Sequence, residues 1–244
     1  MTIRFHRYDA AGAREQRAVV RRVYERAYAD AIASSNPFEQ PGPFMERFDA
    51  YTDPARSTAT GFALVIATDG AEPVGQSWGW PLDERAGAGW WRGLQLDDGD
   101  PADFTREDGR RTFALSEIMV AKEQAGRGIG RALHDELLDG RAEQRATLLV
   151  DPVNDRAYER YARWGWSKAG TLRPDWPDAP TFRRIDPAAS RPCRLNRWPT
   201  APEALNPRPP PAEGGEATAV RGEVVELSEP ADAAMAMNRH LGRS

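Results

Sequence analysis

The sequence predicts a mixed α/β domain followed by a proline-rich C-terminal segment. Three observations predict it. Segments with helix and strand periodicity alternate along most of the 244-residue chain, an apolar strand runs into a glycine-rich turn and a helix, and the composition changes after about Asp186. We therefore expect one domain over residues 1–185 and a flexible extension over residues 186–244.

The first part of the domain contains one predicted strand and two predicted helices. Ile3 to Tyr8 alternates weakly and fits an edge strand. Ala13 to Ala29 has apolar residues at helical spacing and predicts one long helix. The breakers Ser34 to Pro37 and Pro41 to Pro43 separate it from a short helix predicted over Phe44 to Tyr51.

A hairpin and a third strand follow. The apolar run Gly61 to Thr68, the turn Asp69-Gly70 and the run Pro73 to Trp80 together predict two paired strands. Leu82 to Arg110 is rich in Gly, Asp and Pro and predicts an insertion or a long loop. Arg111 to Val120 predicts a third strong strand, which leads into the glycine turn.

The helix after the glycine turn has a buried stripe at Ile129, Leu133 and Leu137, and Gly140 is expected to end it. The remaining predicted elements are a strand over Ala146 to Val150, a helix over Asn154 to Trp164 and a last domain strand over Trp166 to Leu172, then in the extension a strand over Val220 to Leu227 and a short helix over Pro230 to Leu241.

Composition excludes several classes of function. A net charge of -4 argues against a protein that primarily binds nucleic acid. Cys193 is the only cysteine, which excludes an intrachain disulfide and a thiolate metal cluster. His6, His134 and His240 lack metal-ligand spacing, so we expect no metal, and we expect His134 on a helix surface. No run is apolar enough for a signal peptide or a membrane span, so we expect a cytoplasmic protein without a membrane partner.

The glycine turn is the most informative segment. Gly126, Gly128 and Gly130 lie where a strand ends and a helix begins. The first amides of a helix have no internal partners, the helix dipole is positive there, and glycine lets an anion approach closely. The turn therefore predicts a phosphate or diphosphate site, to which Arg127 and Arg131 can add charge.

Three ligands compete for this site. A Walker A loop requires Lys-Ser/Thr after the glycines, which is missing here. A dinucleotide fingerprint fails at its third glycine, where Arg131 or Leu133 stands, but Asp151 lies at a suitable distance for a ribose acid. A nucleotide-dependent oxidoreductase therefore stays open as an alternative. The third ligand is the diphosphate of an acyl-coenzyme A.

The segment 125–130 resembles the Gln/Arg-x-x-Gly-x-Gly/Ala signature of the GNAT superfamily of N-acetyltransferases. Gly128 and Gly130 match, whereas Ala125 stands where the family has Gln or Arg. The family's second motif, Asn-x-x-Ala-x-x-x-Tyr-x-x-x-Gly-Phe, is also similar to this sequence, with Trp166 in place of Phe. The matching positions are Asn154, Ala157, Tyr161, Gly165 and Trp166.

The resemblance implies a central mixed, largely antiparallel sheet that is splayed at its centre and flanked by helices. It implies acetyl-CoA as acyl donor, with the pantetheine arm in the splay. Asn154 would contact that arm, or act simply as a helix N-cap. The other residues implied in cofactor binding are the strand residues Ile118, Met119 and Val120 and the turn residues Gly126, Arg127, Gly128, Ile129, Gly130 and Arg131.

Acetyl transfer requires a neutral amine and a proton for the departing thiolate. The resemblance implies Glu117 as the base, directly or through water, and the alternative is an edge or surface acid with an ordinary pKa. It implies Tyr161 as the acid that protonates the thiolate, and the alternative is a core aromatic packed on Trp164.

Other aromatic and acidic residues have simpler explanations. Trp78 and Trp80 alternate on one strand and fit core packing. Trp90 and Trp91 are candidate lid residues over a substrate pocket. The acidic run from Asp97 to Asp108 predicts a solvated loop.

The sequence therefore predicts an acetyl-CoA-dependent N-acetyltransferase that acts on a primary amine of a small molecule or peptide by direct attack in a ternary complex. The alternative is a non-catalytic module that binds acyl-CoA or sequesters a ligand. A homodimer is compatible with the resemblance. The sequence does not identify the amine, since one scaffold serves many acceptors.

Overall fold

The computed structural model describes residues 2–34, 39–151, 154–173 and 182–187. No helix in these ranges is both long and apolar enough to cross a membrane. The elements are β1 (Ile3–Tyr8), α1 (Ala10–Glu15), α2 (Arg17–Ala27), α3 (Ala29–Ala33), α4 (Pro41–Thr52), β2 (Ala63–Asp69), β3 (Glu72–Pro81), α5 (Glu84–Trp90), β4 (Leu94–Leu96), α6 (Pro101–Phe104), β5 (Thr112–Val120), α7 (Ile129–Leu138), β6 (Arg145–Val150), α8 (Asp155–Arg163), β7 (Trp166–Leu172) and β8 (Phe182–Pro187).

The strands form one sheet in the order β1-β2-β3-β5-β6-β8-β7-β4. Only β5 and β6 are parallel among the paired strands described, because α7 connects them as a crossover. All the other described pairs are antiparallel. The predicted mixed, largely antiparallel sheet flanked by helices is confirmed.

The sheet opens between β5 and β6. Their described pairing covers Thr112 to Ala114 on β5 and Arg145 to Thr147 on β6. From Leu148 onward β6 pairs with β8 instead. The second half of β5, from Leu115 to Val120, therefore has an edge that β6 does not cover. This divergence is the splay that the family resemblance implied.

Two apolar clusters cover the two faces of the sheet. The first, which we call the aromatic face, includes Tyr24 of α2, Phe44 of α4 and Trp78 of β3. The second, which we call the α7/α8 face, includes Leu133 of α7 and Tyr161 of α8. The helices α2, α7 and α8 each bury one apolar stripe against the sheet, which is the usual way in which such layers are stabilised.

The N-terminal helices differ from the prediction. The single helix expected over Ala13 to Ala29 is broken at Gln16, whose ψ of 8° departs from helical geometry. The segment Pro41 to Pro43, expected to break structure, instead begins α4. Proline suits the first helical turn because its missing N–H would have no partner there.

Residues 82–110 are not a long loop but contain α5, β4 and α6. The lid hypothesis for Trp90 and Trp91 is wrong, because the two residues are only 2% and 6% exposed and belong to the aromatic face. Trp91 Nε1 donates to the buried Glu107 Oε1 at 3.1 Å. Glu107 is therefore structural, unlike the exposed aspartates of the same acidic run. The expected core positions of Trp78 and Trp80 are confirmed.

Trp166 to Leu172 is a strand, as predicted, but it is not the last one. β8 lies between β6 and β7 and buries Ile185. Its sequence, Phe-Arg-Arg-Ile-Asp-Pro, carries too much charge to predict a strand between two neighbours. β8 also crosses the predicted domain boundary between residues 185 and 186. The elements predicted over Val220 to Leu227 and Pro230 to Leu241 lie outside the described residues.

Candidate active site

The turn that follows β5 exposes its backbone over residues 125–128. We call residues 125–131, which also include the start of α7, the cradle. A 3-10 turn over Lys122–Gln124 precedes it, and α7 begins directly after Gly128. Gly126 and Gly128 have φ angles of 77° and 79°, a left-handed conformation that other residues rarely adopt. A Cβ atom at either position would meet nothing within 4 Å. The glycines thus set the path of the backbone and leave the space above it open.

No side chain of the described residues caps the N-terminus of α7. Its first turn contains no acidic residue and donates no hydrogen bond to a described side chain. The first backbone hydrogen bond of α7 runs from the Ala132 amide, which donates to the Gly128 carbonyl at 3.1 Å. The amides of Ile129, Gly130 and Arg131 are therefore available to an external acceptor.

A cavity of about 320 Å³ lies beside this N-terminus, between the cradle and the end of α8. Asp30 is the only acid among the lining residues of this cavity, and its carboxylate accepts a hydrogen bond from Lys122 at 2.6 Å. The cationic lining residues are Lys122, Arg127, Arg131, Arg160 and Arg163. Backbone donors and concentrated positive charge make the cavity a good fit for the diphosphate of coenzyme A.

Two arginines of the cradle are held by neighbouring side chains. Arg131 Nε donates to both carboxylate oxygens of Asp135 at 2.7 Å. Arg127 Nη1 donates to Gln124 Oε1 at 2.6 Å. These contacts restrict the two guanidinium groups before a ligand binds, which lowers the entropy cost of binding.

His134 is buried, so the expectation that it lies on the helix surface is wrong; it is 6% exposed. Trp166 Nε1 donates to His134 Nε2 at 3.0 Å, and His134 Nδ1 lies 2.8 Å from Asp135 Oδ1. Because Nε2 accepts, the ring proton is assigned to Nδ1, which donates to Asp135. The hydrogen bond to His134 Nε2 requires the indole N–H of Trp166. The phenylalanine that the family motif has at this position could not donate it.

A β-bulge on β5 determines the orientation of Glu117. Trp78 pairs with Glu117 and Gly79 pairs with Leu115, so Ser116 is the extra residue. Leu115 belongs to the α7/α8 face, and strict alternation would place Glu117 there too. The bulge instead puts Glu117 beside Trp78, on the aromatic face.

Glu117 is 3% exposed, and its Oε2 atom has no hydrogen-bond partner among the described residues. Burial raises the pKa of this carboxyl group to about 8, and the nearby Glu39 carboxylate raises it further, while the Arg47 cation opposes the shift. Glu117 is therefore not a surface acid with an ordinary pKa. A strongly shifted acid in the interior is typical of functional sites.

The aromatic face around Glu117 was not predicted as part of the site. The rings of Tyr24 and Phe44 stack at 3.7 Å between centroids, and Phe44 lies 5.5 Å from Trp78. Burial raises the pKa of Tyr24 and of Tyr28, and the negative charge of Glu117 contributes to both shifts. The phenols therefore stay neutral. Helical spacing in the sequence predicts that Tyr24 and Tyr28 share the apolar face of a helix. Only the packing of the helices on the sheet brings that face to Glu117.

Tyr161 lies on the opposite face of the sheet. It is fully buried, and its ring makes edge contacts with Trp164 at 5.3 Å and Trp166 at 6.0 Å between centroids. The core packing considered for its ring is therefore present, and the acid role of its hydroxyl group stays a prediction. Asn154 caps α8, because its Oδ1 accepts from the Ala157 amide at 3.0 Å. Its contact with a pantetheine arm also stays a prediction.

The sequence profile of the acetyltransferase (GNAT) family matches residues 26–166. A GNAT-family protein from Desulfovibrio desulfuricans has a similar structure, with 19% identity over 76% of this chain and 98% of its own, and a TM-score of 0.48. The ribosomal-protein-S18-alanine N-acetyltransferase of Escherichia coli is 13% identical over 76% of this chain and 93% of its own, with a TM-score of 0.48. A GNAT family acetyltransferase from Elizabethkingia anophelis, with acetyl-CoA bound, is 14% identical over 58% of this chain and 81% of its own, with a TM-score of 0.40. No curated protein matches the chain.

The oxidoreductase alternative is not supported by the fold. A dinucleotide-binding sheet is built from successive parallel βαβ units. Here β5, α7 and β6 form one such unit, but the described strands on either side are antiparallel. The profile match, which includes both the cradle and Glu117, covers more than half of the chain. On that ground this protein belongs to the acetyltransferase (GNAT) family.

Proposed function

We propose that the protein transfers an acetyl group from acetyl-CoA to a primary amine of a small molecule or peptide, by direct attack in a ternary complex. One observation carries the proposal: β5 connects the uncovered strand edge, the buried carboxyl group and the cradle. Its second half has an edge that β6 leaves uncovered, its middle holds the buried Glu117, and its end leads into the cradle.

The chain's own backbone would perform most of the binding. The first-turn amides of α7, with Arg127 and Arg131, would hold the diphosphate. The backbone from Ile118 to Val120 would pair with the amides of the pantetheine arm, as an added strand would. Acetyl-CoA would supply a thioester, whose carbonyl carbon is open to attack by a neutral amine.

Glu117 would accept the proton of the amine. A free primary amine has a pKa near 10 and is protonated at neutral pH, as lysine is. An ammonium group that approaches Glu117 would lower the pKa of this carboxyl group, so that the carboxylate forms beside the cation. The carboxylate would take one proton from the ammonium group, directly or through water, and the neutral nitrogen would then form its bond to the carbonyl carbon.

Tyr161 would act from the α7/α8 face. Its hydroxyl group would donate a proton to sulfur as the carbon–sulfur bond breaks. The second proton that the nitrogen loses would return to the phenolate, directly or through water. A phenol has a pKa of about 10 and a thiol about 8.5, so this transfer costs little. Glu117 and Tyr161 lie on opposite faces of the sheet, so a thioester held in the splay would lie between the group that accepts a proton and the group that donates one.

The second candidate is a module that binds acyl-CoA without catalysis. The observation that favours it is Ala125, which replaces the Gln or Arg of the family motif. Calorimetry of the full chain with acetyl-CoA, followed by thiol-release assays on a panel of amino acids, polyamines and peptide N-termini, separates the two candidates. We expect binding and amine-dependent thiol release. Binding without release on any amine would favour the module, and no binding would contradict both.

A further inference from the structure

The aromatic face contains buried polar atoms that have no hydrogen-bond partner among the described residues. They are Tyr51 Oη, Gln76 Oε1, Trp78 Nε1, Trp90 Nε1 and Glu117 Oε2. Buried polar groups nearly always have a partner, so each exception requires an explanation. Trp78 pairs with Glu117, and Gln76 lies two residues from Trp78 on the same face of β3, so three of these side chains occupy neighbouring positions of the sheet. Donors and acceptors are both present, which fits a ligand that also carries both.

The side-chain amide of Gln76 has a defined orientation. Its Nε2 atom donates to the Val20 carbonyl at 3.1 Å and lies 3.1 Å from Met119 Sδ. Only the nitrogen of an amide side chain can donate to a carbonyl, so Oε1 is the atom that still needs a donor. Gln76 Oε1 and Glu117 therefore offer two hydrogen-bond acceptors on one face of two adjacent strands. An ammonium group, with three N–H donors, suits such a pair.

Arg47 adds a positive charge to this cluster. It lies on α4 three residues after Phe44 and four before Tyr51, so the three residues share one side of the helix. Arg47 Cζ lies 5.9 Å from the centroid of the Phe44 ring, which in turn lies 5.5 Å from that of Trp78. Burial raises the pKa of Tyr51, the Arg47 cation opposes this rise, and the charge of Glu117 adds to it. Because the effect of a charge weakens with distance, Arg47 and Glu117 are close enough to contact one small molecule.

We propose that the amine substrate is a free amino acid, whose ammonium group binds between Glu117 and Gln76 Oε1 and whose carboxylate binds Arg47. This inference rests on the proposed function and narrows its substrate class. Arginine matches the geometry of a carboxylate, and the Trp78 indole and the Tyr51 hydroxyl group can donate to carboxylate oxygens. The surrounding rings favour an amino acid with an apolar side chain.

The charges around Glu117 favour a zwitterion over a polyamine. Glu39 and Arg47 have opposite effects on the pKa of Glu117, because their charges are opposite. These surroundings therefore add little net charge to the site. An amino acid brings one positive and one negative charge, whereas a polyamine brings several positive charges and no group for Arg47 to bind.

Pairs of substrates that differ only in the carboxylate test this site. The pairs are leucine and isopentylamine, phenylalanine and phenethylamine, and tryptophan and tryptamine, each assayed at one pH for thiol release by the full chain with acetyl-CoA. We expect wild-type kcat/KM to be about tenfold to a hundredfold higher for the amino acid in at least one pair, as for hydrogen bonds between charged groups. Arg47→Gln should bring the ratio within that pair close to one. Its effect on the pKa of Glu117 acts on both members of a pair and cancels in the ratio.

Arg56→Gln is the matched control. Arg56 is exposed, and its cation acts on Tyr51 but is not among the charges that shift the pKa of Glu117. This variant should keep the wild-type ratio. A ratio near one in every wild-type pair, thiol release with polyamines alone, or an undiminished ratio in Arg47→Gln would overturn the amino-acid site and leave the proposed function intact. The wild-type ratios decide this even if Arg47→Gln does not fold. If acetyl-CoA bound but no amine caused thiol release, the proposed function itself would fail.

Discussion

The diphosphate cradle and the Glu117 site are built in opposite ways. The cradle consists of consecutive residues, and its donors are backbone amides at the start of one helix. Glu117 acquires its properties from residues far away in the chain, including Glu39, Arg47 and the aromatic rings of α2 and α4. Backbone donors stay in place when side chains change, whereas a buried carboxyl group responds to every neighbouring charge.

This difference has a practical consequence for substitutions. Replacement of the family's Gln or Arg by Ala125 removes a side chain but leaves the amides of α7 where they are. A single change among the neighbours of Glu117 alters the pKa of its carboxyl group. Substitutions in the two regions should therefore separate cofactor affinity from turnover.

The largest effect is expected from Glu117→Gln, which removes the proposed base but keeps the shape of the side chain. We expect kcat/KM to fall about a hundredfold to a thousandfold, with acetyl-CoA affinity within about twofold of the wild type. Wild-type kcat/KM should rise with pH through about 8, because the carboxylate is the active form. The variant should lack this rise. Loss of cofactor affinity without loss of turnover would contradict the separation of the two regions.

Neighbouring charges sharpen this test. Glu39 raises the pKa of Glu117 and Arg47 lowers it. Glu39→Gln should therefore shift the rise in activity to lower pH, and Arg47→Gln should shift it to higher pH. Shifts in the same direction would show that the observed ionisation does not belong to Glu117.

A second effect of Glu117→Gln concerns stability. The folded-state pKa of about 8 lies above the ordinary value of 4.5, so the folded chain holds a proton that the unfolded chain releases between these pH values. The free energy of unfolding of the wild type should fall as the pH rises through this window. At pH 9 the variant should be more stable by roughly 5 kcal/mol, since the pKa rises from 4.5 to about 8 and one pKa unit corresponds to about 1.4 kcal/mol. Urea unfolding at pH 5 and pH 9 measures this, and at pH 5 the gain should fall to about 1 kcal/mol or less.

Tyr161→Phe tests whether the α7/α8 face takes part in the chemistry. It removes the hydroxyl group and keeps the ring that packs against Trp164 and Trp166. We expect kcat to fall about tenfold to a hundredfold with acetyl-CoA affinity unchanged. Tyr158→Phe, on the same helix, is the matched control and should have little effect. Unchanged kcat in Tyr161→Phe would leave Tyr161 as a core residue alone.

The smallest effect is expected in the cradle, where a pair of alanine variants distinguishes the backbone requirement at two glycines. Gly128 has a φ of 79°, so Gly128→Ala should cost about 1 kcal/mol and weaken acetyl-CoA binding about tenfold. Gly130 lies in α7, and an added Cβ would lie 3.7 Å from Val120 Cγ2, an ordinary contact. Gly130→Ala should keep affinity within about threefold, because alanine favours the helix. Calorimetry measures both, and equal losses would contradict the role assigned to Gly128.

The elements that the sequence predicted well are those with a strong local signal. The β2–β3 hairpin follows from two apolar runs around Asp69-Gly70, and α7 follows from the spacing of Ile129, Leu133 and Leu137. β8 was missed because its central Arg184 is fully buried, a position that the charge of an isolated segment does not predict. The interior position of His134 was missed because it depends on Trp166 from another strand.

The sequence by itself determined the glycine cradle, the order of the main elements and the family, because each of these depends on residues close together in the chain. Only the tertiary structure decided the orientation and pKa of Glu117. One extra residue on β5, Ser116, turns its carboxyl group toward the aromatic face, and helices more than 60 residues earlier in the chain remove it from water. A pKa depends on the distances to charges and to solvent, and these distances exist only once the chain has folded.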